Sequence, residues 1–486
     1  MNFLTYQHFQ NIDNYAYKKS FICLFKISRK NKITRRLNMS LPTQAEYVIA
    51  GAGIHGLSTA WRLAERLTEK GENVEGRIVI IDKADRVAAG ATGIACGVVR
   101  NNYFQPAMRK LMAHSVSIWE SDPEAFSYHA NGYMQISCEK MREDVKQIHA
   151  EQAAIGYDSV FIEGEEESRD YMLNLFEDWQ AEGITSVLHE KPGGYANNVK
   201  AMEGLSKKVL DLGVTVALET EITGFETAGK GQSVTAVVTN KGTIQCDNLI
   251  VGAGPWVRDF WNMLGLPTQI ELKDLEGQVH ENIDMWRFWQ LEEGVLEIPP
   301  ETLVTNDGKI PPVLHVDTDA PLYSTVDGSL ITDQMWGIYY KPDWGFGGIQ
   351  GGASPYTVDT PVNEVAIDPY GPESKEFTAS KDFPEMWVSA LAHCHKRFEG
   401  MMPHYHKEPS GGIGCFTPDS FPVIDTFNNN VTIIADSNHG YKMLGVGCLV
   451  AEELLGEKQE LLEPFRFSRF KEGKLHPVSN SPYPWS

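Results

Sequence analysis

Three stretches of this chain predict a mixed α/β fold, in which a Rossmann-like nucleotide-binding domain is interleaved with a second domain built on antiparallel sheet. Residues 46–67 read as a buried strand, a G-x-G-x-x-G turn and an amphipathic helix. Residues 249–257 read as another strand, closing on Gly252-Ala253-Gly254-Pro255-Trp256. Residues 411–447 read as a glycine-bearing block, a strand (Val431 to Ala435), a glycine loop and the start of a helix. Long segments separate the three, so the chain must leave the nucleotide-binding domain and return to it.

The first stretch carries its chemistry in its glycines. Gly51 allows a tight turn, Gly53 lets backbone approach a pyrophosphate, and Gly56 lets helix and strand pack closely. Ile54 and His55 open a helix whose free N–H groups favour phosphate. A second apolar strand, Arg77 to Ile81, ends in Asp82, where a carboxylate can bind a ribose hydroxyl pair. The spacing from glycine to acid exceeds the usual ~20 residues because the connection Glu69 to Gly76 is long.

Composition narrows the function class. The chain has 486 residues, enough for two or three domains, with 42% apolar and 22% charged residues. A net charge of −22 argues against nucleic acid as a partner and for a soluble protein. Seven cysteines without a C-x-x-C pair suit a reducing compartment. No run approaches the ~18 apolar residues of a membrane span. Residues 1–44 form a basic extension, expected to be disordered, in which Asp13 is the one acid before residue 41. It lacks the serine and alanine richness of a transit peptide, which favours an upstream translated extension with Met39 as the working start. The expected location is cytoplasmic, or mitochondrial should that extension act as a transit peptide.

Taken in order, residues 88–100 are dominated by small side chains that let backbone approach a flat ligand, and they end in Arg100. Pro106 to Trp119 reads as a helix, Gly132 to Ser137 as a strand, and Glu139 to Ala154 as a charged helix. Val199 to Leu210 is an amphipathic helix, followed by an alternating strand from Gly213. Val234–Val238 and Thr243–Cys246 make a hairpin. Gly337 to Lys341 is a strand on which Tyr339 and Tyr340 must point to opposite faces. His393, His395, His404 and His406 share no fixed zinc spacing, so no metal is expected.

The turn at Gly90-Ala91-Thr92-Gly93, the strand ending in G-A-G-P-W, the block Thr417-Pro418-Asp419 and the loop Asn438-His439-Gly440-Tyr441-Lys442 together resemble the D-amino-acid oxidase superfamily of flavoproteins. The nearer branch is that of the glycine, sarcosine and dimethylglycine oxidases and dehydrogenases. The resemblance covers about residues 45 to 456 in islands. It implies an FAD-binding domain from residues 45–132, 191–260 and 410–457, a substrate domain from 133–190 and 261–409, and a tail at 458–486. It also implies that FAD is held by Gly51, Gly53, Ile54, His55, Gly56, Asp82, Lys83, Gly90 and Thr92 from the first half of the chain. From further along the chain it adds Ile222, Gly252, Gly254, Trp256, Asp419, His439, Gly440, Tyr441 and Lys442. Cys415 stands closer to Thr417 than the flavin-linking cysteine of some relatives, so FAD is expected to be non-covalent.

Amine oxidation by a flavin asks the protein mainly to hold the substrate. By the same resemblance, Arg100 and Lys442 clamp a substrate carboxylate, with Tyr339 or Tyr340 facing the flavin. The expected activity is hydride transfer to FAD from the C–N carbon of a small amine or amino acid, such as an N-methylated one. Alternatives are a D-amino acid, an opine or another amine, or a flavin-binding subunit or assembly factor without catalysis. A partner subunit or separate electron acceptor belongs to the same expectation.

Overall fold

A computed structural model of the chain describes residues 41–229, 231–371, 373–377, 382–406 and 410–483. The basic N-terminal extension lies almost wholly outside the described residues.

The first sheet has eight strands. Strand Gln44–Ala50 lies between Ile78–Ile81 and Gly242–Val251, parallel to both, and Thr215–Ala217 extends the row beyond Ile78–Ile81. The sequence Ile78-Val79-Ile80-Ile81 has no polar alternation because both of its faces are buried. The long strand Gly242–Val251 pairs through its first half with the antiparallel hairpin partner Val234–Thr239. Through its second half it pairs with Val431–Ala435, so the C-terminal block returns to the N-terminal sheet.

Helices Ile54–Glu69, Asn198–Asp211 and Leu444–Leu454 cover one face, and Pro106–Ser121 packs against the last of these. Asn197 caps the second helix by accepting from the Lys200 amide at 3.0 Å. Pro106 opens the helix Pro106–Ser121 at a position where no N–H is needed. The other face carries the core around Trp261 and Trp286, closed by the hairpin Gln269–Lys273 and Val279–Asp284.

The second sheet has nine strands and is mostly antiparallel. Its centre runs Gly348–Ala353, Trp336–Asp343, Val313–Thr318, Tyr133–Ser137, Ser186–Glu190. Period-2 alternation gives it two unlike faces. Met134, Ile136, Leu314, Val316, Ile338 and Tyr340 face a core closed by helices Phe383–Cys394 and Glu165–Leu175. Tyr133, Gln135, His315, Asp317 and Tyr339 alternate with them and lie on the opposite, polar face. Strand Ser410–Phe416, expected with the nucleotide-binding domain, pairs instead with Arg287–Leu296 of this sheet. Both sheets therefore meet in the C-terminal block, and Tyr133, His315 and Tyr339 of the polar face share a cavity with the Gly51 turn.

Candidate functional site

Between the sheets lies a cavity of ≈780 Å³, lined from both sides. At one end the strand Gln44–Ala50 delivers the chain into Gly51, which has φ +102°. A Cβ there would stand 2.4 Å from the Gly252 carbonyl oxygen, so the two glycine turns can cross only without side chains. Gly53 precedes the helix Ile54–Glu69 with no side-chain cap, and the first turn carries no acid. The Ile54 amide meets Thr92 Oγ1 at 3.3 Å, and Gly53, Ile54, His55 and Thr92 together line the cavity at this helix start. Asp82 accepts the Ala52 amide at 2.7 Å and the Ala84 amide at 2.9 Å, which fixes its carboxylate at the cavity edge. Burial raises its pKa.

The opposite end is cationic. Arg100 is buried, donates to the Asn102 carbonyl, and stacks over Tyr103 at 4.5 Å and Tyr133 at 5.4 Å. Lys442 reaches the same cavity from the loop before helix Leu444–Leu454. Burial, and then the Arg100 charge, bring its pKa down to about 7. Among the described residues neither cation has a carboxylate within ion-pair distance. Glu293 lines the cavity as well, and burial pushes its pKa up to about 7. It accepts from the Tyr339 hydroxyl at 2.9 Å and from the Cys96 amide at 3.2 Å.

One hydrogen bond ties the two ends. His55 Nε2 lies 2.9 Å from Asp436 Oδ2. Although burial works the other way, the His55 contact holds the Asp436 carboxyl below its usual range. A Cβ at Gly440 would fall 2.2 Å from the same oxygen, so only glycine lets the Lys442 loop close over the helix start. A helix terminus that starts at a glycine and carries no acid, an anchored carboxylate, a glycine cradle and a distant cationic end fit FAD: phosphates at the first, ribose at the second, flavin toward the last.

Residues 46–285 match the family model of the FAD dependent oxidoreductases, DAO. The chain belongs to that family. The sarcosine oxidase subunit beta of Rhodobacter capsulatus is 25% identical over 246 residues, which are 49% of this chain and 56% of that protein. The subunit of the same name from an Arthrobacter species is 24% identical over 217 residues, 43% of this chain and 51% of that one. The chain thus spans about half the length of the curated relatives it matches. Among solved structures, L-proline dehydrogenase from P. horikoshii has TM-score 0.66 at 21% identity, covering 90% of this chain and 100% of that one. Glycine oxidase from Geobacillus kaustophilus has TM-score 0.63 at 15% identity, covering 88% and 99%. These structural likenesses establish the DAO fold.

In this DAO-family flavoprotein most of the expected cofactor residues line the cavity: Gly51, Gly53, Ile54, His55, Asp82, Lys83, Gly90 and Thr92, with Ile222, Gly252, Gly254, Trp256, Gly440, Tyr441 and Lys442. Trp256 packs on Gly90, where a Cβ would lie 2.9 Å from its ring, and Lys83 sits 4.4 Å over the same indole. Arg100 and Tyr339 line it too.

Four expectations are corrected. Tyr340 is wholly buried on the far face of the sheet, edge-on to His395 at 5.8 Å, and is a core residue. Asp419 does not reach the cavity; both of its oxygens are taken by Arg469 at 2.8 Å. His439 is buried against Phe421 and Tyr103 behind the Lys442 loop, not on the cavity wall. Gly56 packs helix on strand, where a Cβ would lie 1.8 Å from the Gly51 carbonyl oxygen, and touches no cavity surface. Lys341, near the end of the same strand as Tyr340, is buried in an ion pair with Asp343 over Tyr195 and is off the wall. His395 is a core histidine between Phe176 and Trp179, 3.6 Å from Asp178.

Sequence reasoning missed Tyr133, Glu293, His315, Asp436 and Tyr483, all on the wall. The alternation in Val313-Leu314-His315-Val316-Asp317, apolar against polar, is the signal that marks His315 and Asp317 as one face.

Proposed function

We propose that the chain oxidises the C–N bond of a small α-amino acid, sarcosine- or dimethylglycine-like, at an FAD held in this cavity. The observation that carries the reading is the pair Arg100 and Lys442, two cations brought to one cavity, neither of them in an ion pair among the described residues. Cations left in this state are arranged for an anion that arrives from outside, and a substrate carboxylate is the anion an amino acid brings.

Bound FAD supplies the acceptor for the two electrons and the hydrogen leaving the carbon next to nitrogen. The protein's own residues do the rest. Arg100, fixed by Tyr103, Tyr133 and the Asn102 carbonyl, orients one carboxylate oxygen. Lys442 neutralises the other. Tyr339 and Glu293 form a hydrogen-bonded polar spot on the same wall, suited to the substrate nitrogen. The sheet's buried polar face and the aromatic rings of Tyr133 and Tyr339 exclude water. The six described cysteines carry free, buried thiols, in keeping with a reducing compartment. Among the described residues no helix is long and apolar enough to cross a membrane.

A second reading has one observation behind it. The matched relatives include proteins named as subunits: the sarcosine oxidase subunit beta and the mouse pyruvate dehydrogenase phosphatase regulatory subunit, which is 23% identical over 280 residues. A partner subunit or electron acceptor would then complete the work. Anaerobic addition of sarcosine, dimethylglycine, glycine, proline and D-amino acids decides between them. Bleaching of the flavin by one of these supports the first reading, and a flavin inert to all favours the second.

A further inference from the structure

The segment after residue 473 crosses from one half of the molecule to the other. The preceding residues belong to the nucleotide-binding half, where Arg466 pairs with Glu453 and Arg469 with Asp419. His476 then stacks between Phe465 at 5.0 Å and Phe421 at 4.9 Å, and Phe421 in turn stacks on His439 of the Lys442 loop. Gln105 donates to the Pro477 carbonyl. Asn480 binds Asp144 twice, by its amide at 2.7 Å and its side chain at 2.9 Å. The Ser481 hydroxyl faces Asp317 at 3.4 Å. Tyr483 ends the described segment inside the cavity, 3% exposed, its ring 4.9 Å from His315 and 6.4 Å from Tyr339.

The sheet is cut to receive this segment. A Cβ at Gly337 would lie 2.8 Å from the Tyr483 ring and 3.2 Å from Pro482, besides striking Asp317 at 2.2 Å. His315 and Tyr339 meet the Tyr483 ring, Tyr133 and Arg100 lie close enough to act on its hydroxyl, and Glu293 and Lys442 line the same cavity.

We infer that residues 474–483 are a strap that closes the substrate end of the cavity, with Tyr483 as the wall that sets how bulky a carboxylate can lie on Arg100 and Lys442. The inference rests on the reading of that end as the amino-acid site. In it the strap confines the site to small side chains, since a larger group would have to displace a ring already packed on three sides.

The test uses the full chain loaded with FAD, in wild type, Tyr483→Ala and Tyr483→Phe. Two quantities are read: the affinity for acetate, benzoate and 2-naphthoate from the flavin absorbance change, and the quenching of bound-flavin fluorescence by acrylamide. Removing the ring should raise naphthoate affinity relative to acetate by about tenfold or more. It should also raise the quenching constant severalfold. The phenylalanine variant, which keeps the ring, should hold both near wild type. Should no acid bind to any form, the carboxylate clamp fails and quenching alone judges the strap. Equal relative affinities, or an unchanged quenching constant, overturn it. If Tyr483→Ala does not fold with FAD, Ser481→Ala with Asn480→Ala, which loosens the strap's anchors, is judged by the same two readings.

Discussion

Tyr339 donates its hydroxyl hydrogen to Glu293 Oε1 at 2.9 Å, reaching across strand Gly348–Ala353, which separates their own two strands. The bond exists because Gly352 lies beneath it. A Cβ at that position would stand 2.5 Å from the Tyr339 oxygen. Gly352→Ala should therefore break the pair and raise the KM for the amino-acid substrate by about tenfold, a loss of ~1.4 kcal/mol, with FAD still bound. Steady-state kinetics beside a flavin-to-protein ratio checks it.

The cationic end should respond to pH in a stated direction. Lys442 titrates near about 7 because of burial and Arg100, and Glu293 near about 7 because of burial. Below that point the lysine is charged and the glutamate neutral, which favours an anion. Above it the lysine loses its charge and the glutamate gains one, and both changes oppose an anion. The Kd for benzoate should rise as pH increases from about 6 to about 9. Lys442→Met should flatten most of that rise.

Arg100→Ala and Lys442→Ala should each raise the KM for the amino-acid substrate, by about thirtyfold or more for the buried arginine, while FAD content stays unchanged. Arg100→Lys should rescue little, because a lysine cannot stack flat between Tyr103 and Tyr133 and fork at once. Steady-state kinetics with flavin-to-protein ratios reads both quantities.

The Asp419–Arg469 pair is nearly inaccessible, with side chains 4% and 2% exposed. Asp419→Ala should lower stability by about 3–5 kcal/mol, since it leaves a buried guanidinium uncompensated. The FAD affinity of the folded fraction should not change. Denaturant unfolding beside a flavin titration separates this outcome from a cofactor role for Asp419.

Cys415 lines the cavity, yet burial holds its thiol well above its ordinary pKa and so keeps it protonated. Acid precipitation should release the yellow colour into the supernatant, and Cys415→Ser should bind FAD as wild type does.

How far the sequence could be read depends on how local each determinant is. Gly51 to Gly56, Asp82 and the loop to Lys442 were legible because turn, helix start and strand end sit within a few residues of one another. The choice between Tyr339 and Tyr340 was not, because alternation says that the two differ but not which face the second sheet buries. Asp419 misled for a similar reason: its motif is contiguous, but its partner Arg469 lies 50 residues on, in a tail with no motif of its own. Glu293, His315 and Tyr483 come from three separate elements that only the folded sheet and strap bring together. The strand Ser410–Phe416 resembled part of the block it precedes, and its pairing with Arg287–Leu296 is a long-range choice that local propensity does not encode.

The central claim is that Arg100 and Lys442 hold a carboxylate while FAD accepts the hydrogen. It is tested most directly by anaerobic bleaching of the flavin with matched pairs of amines, sarcosine against dimethylamine and dimethylglycine against trimethylamine. The account predicts that at least one carboxylate-bearing member bleaches the flavin and that its partner without the carboxylate does not. Equal bleaching by both members, or bleaching by the simple amine alone, would contradict it.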